Sequence, residues 1–143
     1  MINISTPKNL IFVDTSALKA VFDQNDDFHQ QAIAVWEKAK EEKTGFVISN
    51  FILDEFYTLV RSHLGRLAVL QFYQDLVKSR AQLKIVRITI KDEVEAWDFF
   101  EKLSGRKLSF TDCTSFALMK RLGLTEAFAF DKHFKKAGFI LKP

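Results

Sequence analysis

Four carboxylates in this chain stand where an acid is locally awkward. Asp14 follows directly on the apolar run Leu10–Val13, and Asp131 follows Ala127–Phe130 in the same way. Glu55 comes three residues after Ile52 and four before Leu59, so on a helix it shares a face with apolar positions. Asp112 comes four before Phe116 and seven before Met119, again on an apolar stripe. An acid that faces inward loses hydration free energy unless it meets a cation or hydrogen-bond donors. Each has an ordinary reading by itself. Asp14 and Asp112 suit helix caps or first turns, Glu55 suits a pair with Arg61, and Asp131 suits the cap of a helix over 132–137. Taken together those readings weaken. Like charges a few ångströms apart repel by on the order of 4 kcal/mol at an effective dielectric near 20. Four converging carboxylates therefore stay ionised only around divalent cations. Hard oxygen donors without soft ones select Mg²⁺ or Mn²⁺ over zinc or copper. Ions held in this way can lower the pKa of a bound water to make a nucleophile and neutralise charge developing in a transition state. No Ser, Cys or His nucleophile is needed.

The elements that must position these acids are legible as short apolar runs alternating with amphipathic segments. Leu10–Val13 reads as a strand buried on both faces, as in a parallel sheet. Phe46–Ile48, Leu83–Val86 and Ala127–Phe130 are similar, and Phe139–Leu141 reads as a last edge strand. Apolar spacing predicts a helix from Phe28 to Lys43, capped by Asp26 or Asp27. A second carries Ile52 to Leu64 and closes at Gly65; a third runs from Leu67 to Lys78. Val94, Trp97 and Phe100–Leu103 mark a fourth, and Thr111–Leu122 a fifth, with Thr111 as its cap and Gly123 as its stop. Trp36 and Trp97 sit at core spacing and need no ligand. The alternation predicts right-handed crossovers, hence a three-layer α/β/α sandwich around a mainly parallel sheet of four to five strands. In such sheets the functional crevice lies outside the carboxyl ends of the strands, where Asp14 and Asp131 are placed.

Composition bounds the rest. At 143 residues the chain is expected to form a single domain over 1–143, and its fifteen Phe supply a sizeable core. No uncharged stretch approaches the roughly 18 residues of a bilayer span, which excludes an integral membrane protein. Residues 1–8 lack the pattern of a secretory signal, and one cysteine, Cys113, permits neither an intramolecular disulfide nor a Cys-based zinc cluster. The expected compartment is the cytoplasm. The net charge is +3, and setting the four acids aside leaves +7, a basic body around an acidic pit.

The four acids and their flanks resemble a known family. The chain is similar to the PIN domain, and most closely to the single-domain VapC-like toxins of bacterial and archaeal toxin–antitoxin pairs, from about Leu10 to Leu141. Val-Asp14-Thr-Ser16-Ala-Leu resembles the opening motif, and Ile-Leu-Asp-Glu55-Phe carries the helix glutamate. Leu-Ser-Phe-Thr-Asp112 carries the third acid, and Phe-Asp131-Lys-His-Phe134 followed by Gly138-Phe139 resembles the closing motif. Any one motif is weak, whereas four in order are specific. The resemblance implies a Mg²⁺- or Mn²⁺-dependent ribonuclease in which Asp14, Glu55, Asp112 and Asp131 bind metal and Ser16 supports the site. It also implies an RNA substrate, a cognate antitoxin whose tail offers Arg or Lys to the carboxylates, and a homodimer paired through helices. One departure stands out: many relatives carry a further acid where this chain has His133. Asp54, beside Glu55, points away round the helix.

Two other functions fit the fold class. One is a catalytically silent RNA-binding or scaffold module, which loss of an acid would favour, and none is lost. The other is a stand-alone RNA-processing nuclease. Other α/β phosphate enzymes fit less well. An aspartyl phosphatase wants a second Asp where Ser16 stands, a receiver domain wants paired acids ending the first strand, and a Gly-rich phosphate loop is missing. Arg61, Arg66, Arg106, Lys107, Lys120, Lys132 and Lys136 bracket the motifs and are candidate RNA contacts as a group, although Lys and Arg face solvent by default. Phe110 and Phe134 flank acids and suit core packing. His29, His63 and His133 have no metal-binding spacing among themselves, and only His133 lies near the motifs.

Overall fold

A computed structural model of the chain describes residues 9–143. The expectation about residues 1–8 lies outside the described residues. Five parallel strands, β1 (Leu10–Val13), β2 (Gly45–Ser49), β3 (Leu83–Val86), β4 (Glu126–Phe128) and β5 (Ile140–Lys142), form one sheet in the order β3-β2-β1-β4-β5. Seven helices connect them: α1 (Thr15–Phe22), α2 (His29–Glu41), α3 (Asn50–Leu64), α4 (Arg66–Lys78), α5 (Ile90–Lys102), α6 (Phe110–Leu122) and α7 (His133–Lys136). From β1 the chain first steps outward through β2 to β3, then crosses back past β1 to β4. With right-handed crossovers the first four helices cover one face and the last three the other.

The Phe side chains report these two faces. Phe46 stacks on Trp36 with centroids 4.6 Å apart, and Phe22 bridges Trp36, Phe56 and Phe72. One residue out of phase, Phe12 meets Phe134, which meets Phe116 edge-on at 5.0 Å. Adjacent residues of a strand face opposite sides, so Ile11 and Phe12 serve different layers. The expected three-layer sandwich is therefore the observed one.

Helix α6 is buried from Asp112 to Met119, as expected for a helix enclosed by neighbours rather than lying on a surface. It stops at Gly123, whose φ of 69° is the left-handed turn that glycine adopts without strain. Its cap is Ser109 rather than Thr111. The Ser109 hydroxyl accepts from Asp112 N–H while the Asp112 carboxylate accepts from Ser109 N–H. Helix α2 starts at His29 with no side-chain cap; Asp26 instead accepts from Phe28 N–H in the turn before it.

Two expectations fail in packing. Helix α1 was not read from the sequence: Thr15–Phe22 has only eight residues, too few for periodicity to distinguish it from a loop. Trp97 is 58% exposed, and Val94, Ile90 and Phe100 are exposed with it. The inward positions of α5 are instead Asp92 and Ala96, because α5 is joined to α6 by an ion pair as well as by apolar contact. Arg121 Nε and Nη2 donate to both oxygens of Asp92 at 2.8 and 2.9 Å, and Nη2 also reaches the Arg87 carbonyl. Burial alone would raise the Asp92 carboxyl, but the guanidinium and Thr89 hold it below the usual range. Arg121→Ala removes the guanidinium that both pairs with and covers Asp92, which is 3% exposed in the intact fold; it is expected to lower stability by about 2–3 kcal/mol in urea unfolding.

Candidate metal centre

The carboxyl ends of β1, β2 and β4 open at one end of the sheet, and the N-terminus of α6 joins them there. Asp14 ends β1 and caps α1. It is 3% exposed, the most enclosed of the four acids. Oδ2 accepts from the Ser16 hydroxyl at 2.7 Å, and that hydroxyl accepts from Phe130 N–H at 3.1 Å. Ser16 thus links the first acid to the segment that carries the last. Oδ1 of Asp14 is buried with no hydrogen-bond partner.

Asp112 is the third residue of α6 and is also buried. Its backbone-bonded oxygen completes the capping box, so the helix-start role and the site role fall on one side chain. Asp131 does not directly follow its strand. β4 ends at Phe128; Ala129 N–H still bonds the Lys142 carbonyl of β5, and Phe130 N–H then leaves the sheet to bond Ser16. Asp131 is half-buried beyond this point, and its Oδ1 accepts at 2.9 Å from the N–H of His133, the first residue of α7, whose cap position is Lys132 rather than Asp131. Glu55 is half-buried on α3, which Ser49 caps. Among the described residues it makes no ion pair with Arg61.

Glu55 and Asp131 are near enough for their charges to act on both buried acids. Burial first, then the charges of Asp112, Glu55 and Asp131, push the Asp14 carboxyl up to about 7 despite the Ser16 hydrogen bond. Burial, with Asp131 and Glu55, pushes Asp112 up to about 6, against the Ser109 N–H and His133. A buried carboxyl raised by its own neighbours, with an oxygen left unpaired, is the donor set of a divalent cation. The residues fit such an ion.

The sequence set omits one neighbour. His133 Nδ1 lies 2.8 Å from Asp131 Oδ1 and 3.7 Å from Asp112 Oδ2. The signal for it was its position two residues after Asp131. Of the candidate bases, Arg106, Lys107 and Lys132 are exposed beside the motifs. Lys120 pairs with Glu95 near the far end of α6, away from the acids. Phe134 is fully buried and Phe110 packs edge-on against Phe100, both core roles. Cys113 is buried and Asp54 exposed, as expected.

Ser16→Ala removes the acceptor of Phe130 N–H and the donor to Asp14. It is expected to destabilise the fold by about 1–2 kcal/mol and to reduce RNA cleavage about tenfold, measured by denaturation and by initial rates.

A parallel α/β/α sheet with buried carboxylates beyond the ends of its central strands is an architecture suited to hard divalent ions. The sequence pattern of the PIN domain matches residues 11–140, and the chain belongs to this family, on its VapC-like branch. It is 31% identical over 131 residues, 92% of this chain and 96% of the other, to the 23S rRNA-specific endonuclease VapC20 of Mycobacterium tuberculosis. The crystal structure of that Mycobacterium tuberculosis protein, described as a sarcin–ricin loop cleaving toxin, superposes with a TM-score of 0.81 at 30% identity, covering 93% of this chain and 99% of that one. FitAcB from Neisseria gonorrhoeae shares the fold at a TM-score of 0.69 and 15% identity, over 93% and 96% of the two chains. Among the described residues no helix is long and apolar enough to cross a membrane.

Proposed function

We propose that the chain, acting as one PIN-like domain, is a Mg²⁺- or Mn²⁺-dependent endoribonuclease and the toxin of a type II toxin–antitoxin pair. The observation that carries this reading is the unpaired, fully buried Asp14 Oδ1 among three further carboxylates that raise its pKa. Asp14, Asp112, Glu55 and Asp131 are the residues that hold the ion. When bound, it supplies positive charge to the scissile phosphate and lowers the pKa of a water. The chain's own work is to fix the oxygens in advance. Ser16 pins Asp14, the capping box pins Asp112, and the turn at His133 pins Asp131. Rigid ligands cost little reorganisation as charge develops on the phosphate. Arg106, Lys107 and Lys132 supply countercharge to the RNA backbone at the rim, so binding is expected to weaken steeply with salt.

The 31% identical relative is named for cleavage of 23S rRNA, which makes large-subunit ribosomal RNA the first substrate to test. Membership of the VapC-like branch is the ground for expecting a cognate antitoxin, whose basic side chain would enter the carboxylate crevice. The exposed Leu67, Leu70 and Tyr73 of α4 with Leu64 of α3 supply an apolar face for a homodimer. The expected compartment is the cytoplasm. Incubation with total RNA followed by end mapping tests the activity. Discrete 5′-phosphate and 3′-hydroxyl ends that disappear with EDTA are expected; cleavage that persists in EDTA would overturn the reading.

A further inference from the structure

We infer that His133 is a nitrogen ligand of the ion, so that this site is a mixed oxygen–nitrogen site selecting Mn²⁺, Co²⁺ or Zn²⁺ over Mg²⁺. The inference rests on the metal reading proposed above. Three observations carry it. First, Asp112, Asp131 and His133 each present one donor atom, all within 4.8 Å of one another. Donors about 2.1 Å from a six-coordinate ion stand roughly 3.0 Å apart when adjacent and 4.2 Å when opposite. The distances of 2.8 and 3.7 Å from Nδ1 to the two carboxylates are near that range.

Second, Nδ1 is enclosed and has no hydrogen-bond partner. The Asp131 oxygen is close to it but off the line along which a ring N–H donates, so this is not simply an imidazole steadying a carboxylate. Asp14 Oδ1, at a residue only 3% exposed, is likewise buried without a partner. Third, the ring is held by its surroundings. Its backbone N–H is bonded to Asp131, and its Nε2 edge lies against Gly105, where a Cβ would come within 3.0 Å. Glycine at 105 therefore lets the loop between α5 and α6 close over one edge of the ring while Nδ1 lies among the carboxylates.

An imidazole in place of a fifth oxygen changes which ion the site prefers. Mg²⁺ is a hard ion that favours oxygen donors, whereas nitrogen donors strengthen binding of first-row transition ions. The test is Mn²⁺ binding followed by electron paramagnetic resonance. In the wild-type protein, bound Mn²⁺ is expected to show ¹⁴N coupling in the spin-echo modulation, and Mg²⁺ is expected to compete only in large excess. His133→Asp supplies oxygen instead. It is expected to retain bound Mn²⁺, lose the ¹⁴N coupling, and shift the Mn²⁺-over-Mg²⁺ preference about tenfold or more towards Mg²⁺. Thermal melts in EDTA check that the variant folds. Bound Mn²⁺ without ¹⁴N coupling in the wild type, or coupling that survives in His133→Asp, would overturn the inference and leave the carboxylate site standing. No Mn²⁺ or Mg²⁺ binding to the wild type would remove both readings.

Discussion

Asp14→Asn is expected to abolish divalent-ion-dependent RNA cleavage and, at the same time, to make the ion-free protein more stable at pH 8. The two effects have one cause. Folding places the Asp14 carboxyl in an enclosed site facing three other acids, which pushes it up to about 7 from 3.8. Each unit of such a shift is about 1.4 kcal/mol. Ionising Asp14 at pH 8 without a cation therefore costs on the order of 4 kcal/mol of folding free energy. Asparagine removes that cost. Its amide oxygen still accepts from Ser16, and its NH₂ points donors at carboxylates where Asp14 had an unpaired oxygen. A rise of roughly 5–10 °C in melting temperature is expected in EDTA. Cleavage is expected to fall at least about a thousandfold, since several kcal/mol of transition-state charge stabilisation are lost with the ligand. A variant that loses activity because it is unfolded would melt lower, so differential scanning calorimetry separates the outcomes. Unchanged cleavage would sink the metal reading.

Divalent ions are expected to flatten the pH dependence of stability. Asp14 and Asp112 both titrate above their unfolded value, at about 7 and about 6. For a raised carboxyl the stabilising contribution is present below the unfolded value, and it is lost as pH rises through the folded one. The ion-free protein should thus lose stability from about pH 4 to about pH 7. Asp23 and Asp92, held below the usual range by Lys19 and Arg121 against the effect of burial, oppose this at the acid end. Greatest ion-free stability is expected near pH 4. With Mn²⁺ at a hundred times its dissociation constant, binding adds about 2.7 kcal/mol at pH 8 and little at pH 4, where the ligands are protonated. Melting temperatures across this range, with EDTA and with Mn²⁺, give the two curves. A flat EDTA curve between pH 5 and 8 would contradict the burial and mutual repulsion of these acids.

How much of this was legible beforehand depended on whether local pattern or tertiary placement decided the feature. The bounds of β1 and β3 match the sequence reading, but only β1 has the burial expected of a continuous apolar run; β3 lies at the sheet edge, contains Lys84 and leaves Ile85 43% exposed. The acids followed, because a charge at the end of such a run has few places to go. Trp97 was misread because periodicity shows that a helix has an apolar face, not which face its neighbour takes; Asp92 and Arg121 claimed the inner one. Asp131 stands two residues farther from the end of β4 than the apolar run implies, because Phe130 N–H leaves the sheet to bond Ser16, far away in the sequence. His133 was partly legible: its bond to Asp131 is local, two residues away, whereas its approach to Asp112 and to Gly105 is tertiary.

Ser16 and Phe130, bonded through one hydroxyl, stand 114 positions apart. This sets a timetable for the newborn chain. A ribosome that has extruded α6 has already made three of the acids, yet β4 has not inserted beside β1, and the fourth acid and its tether are still inside the tunnel. The crevice forms only when that late strand docks, in one cooperative step rather than by gradual accumulation. A site that needs Asp131 is thereby incomplete until residue 131 and its surroundings have emerged.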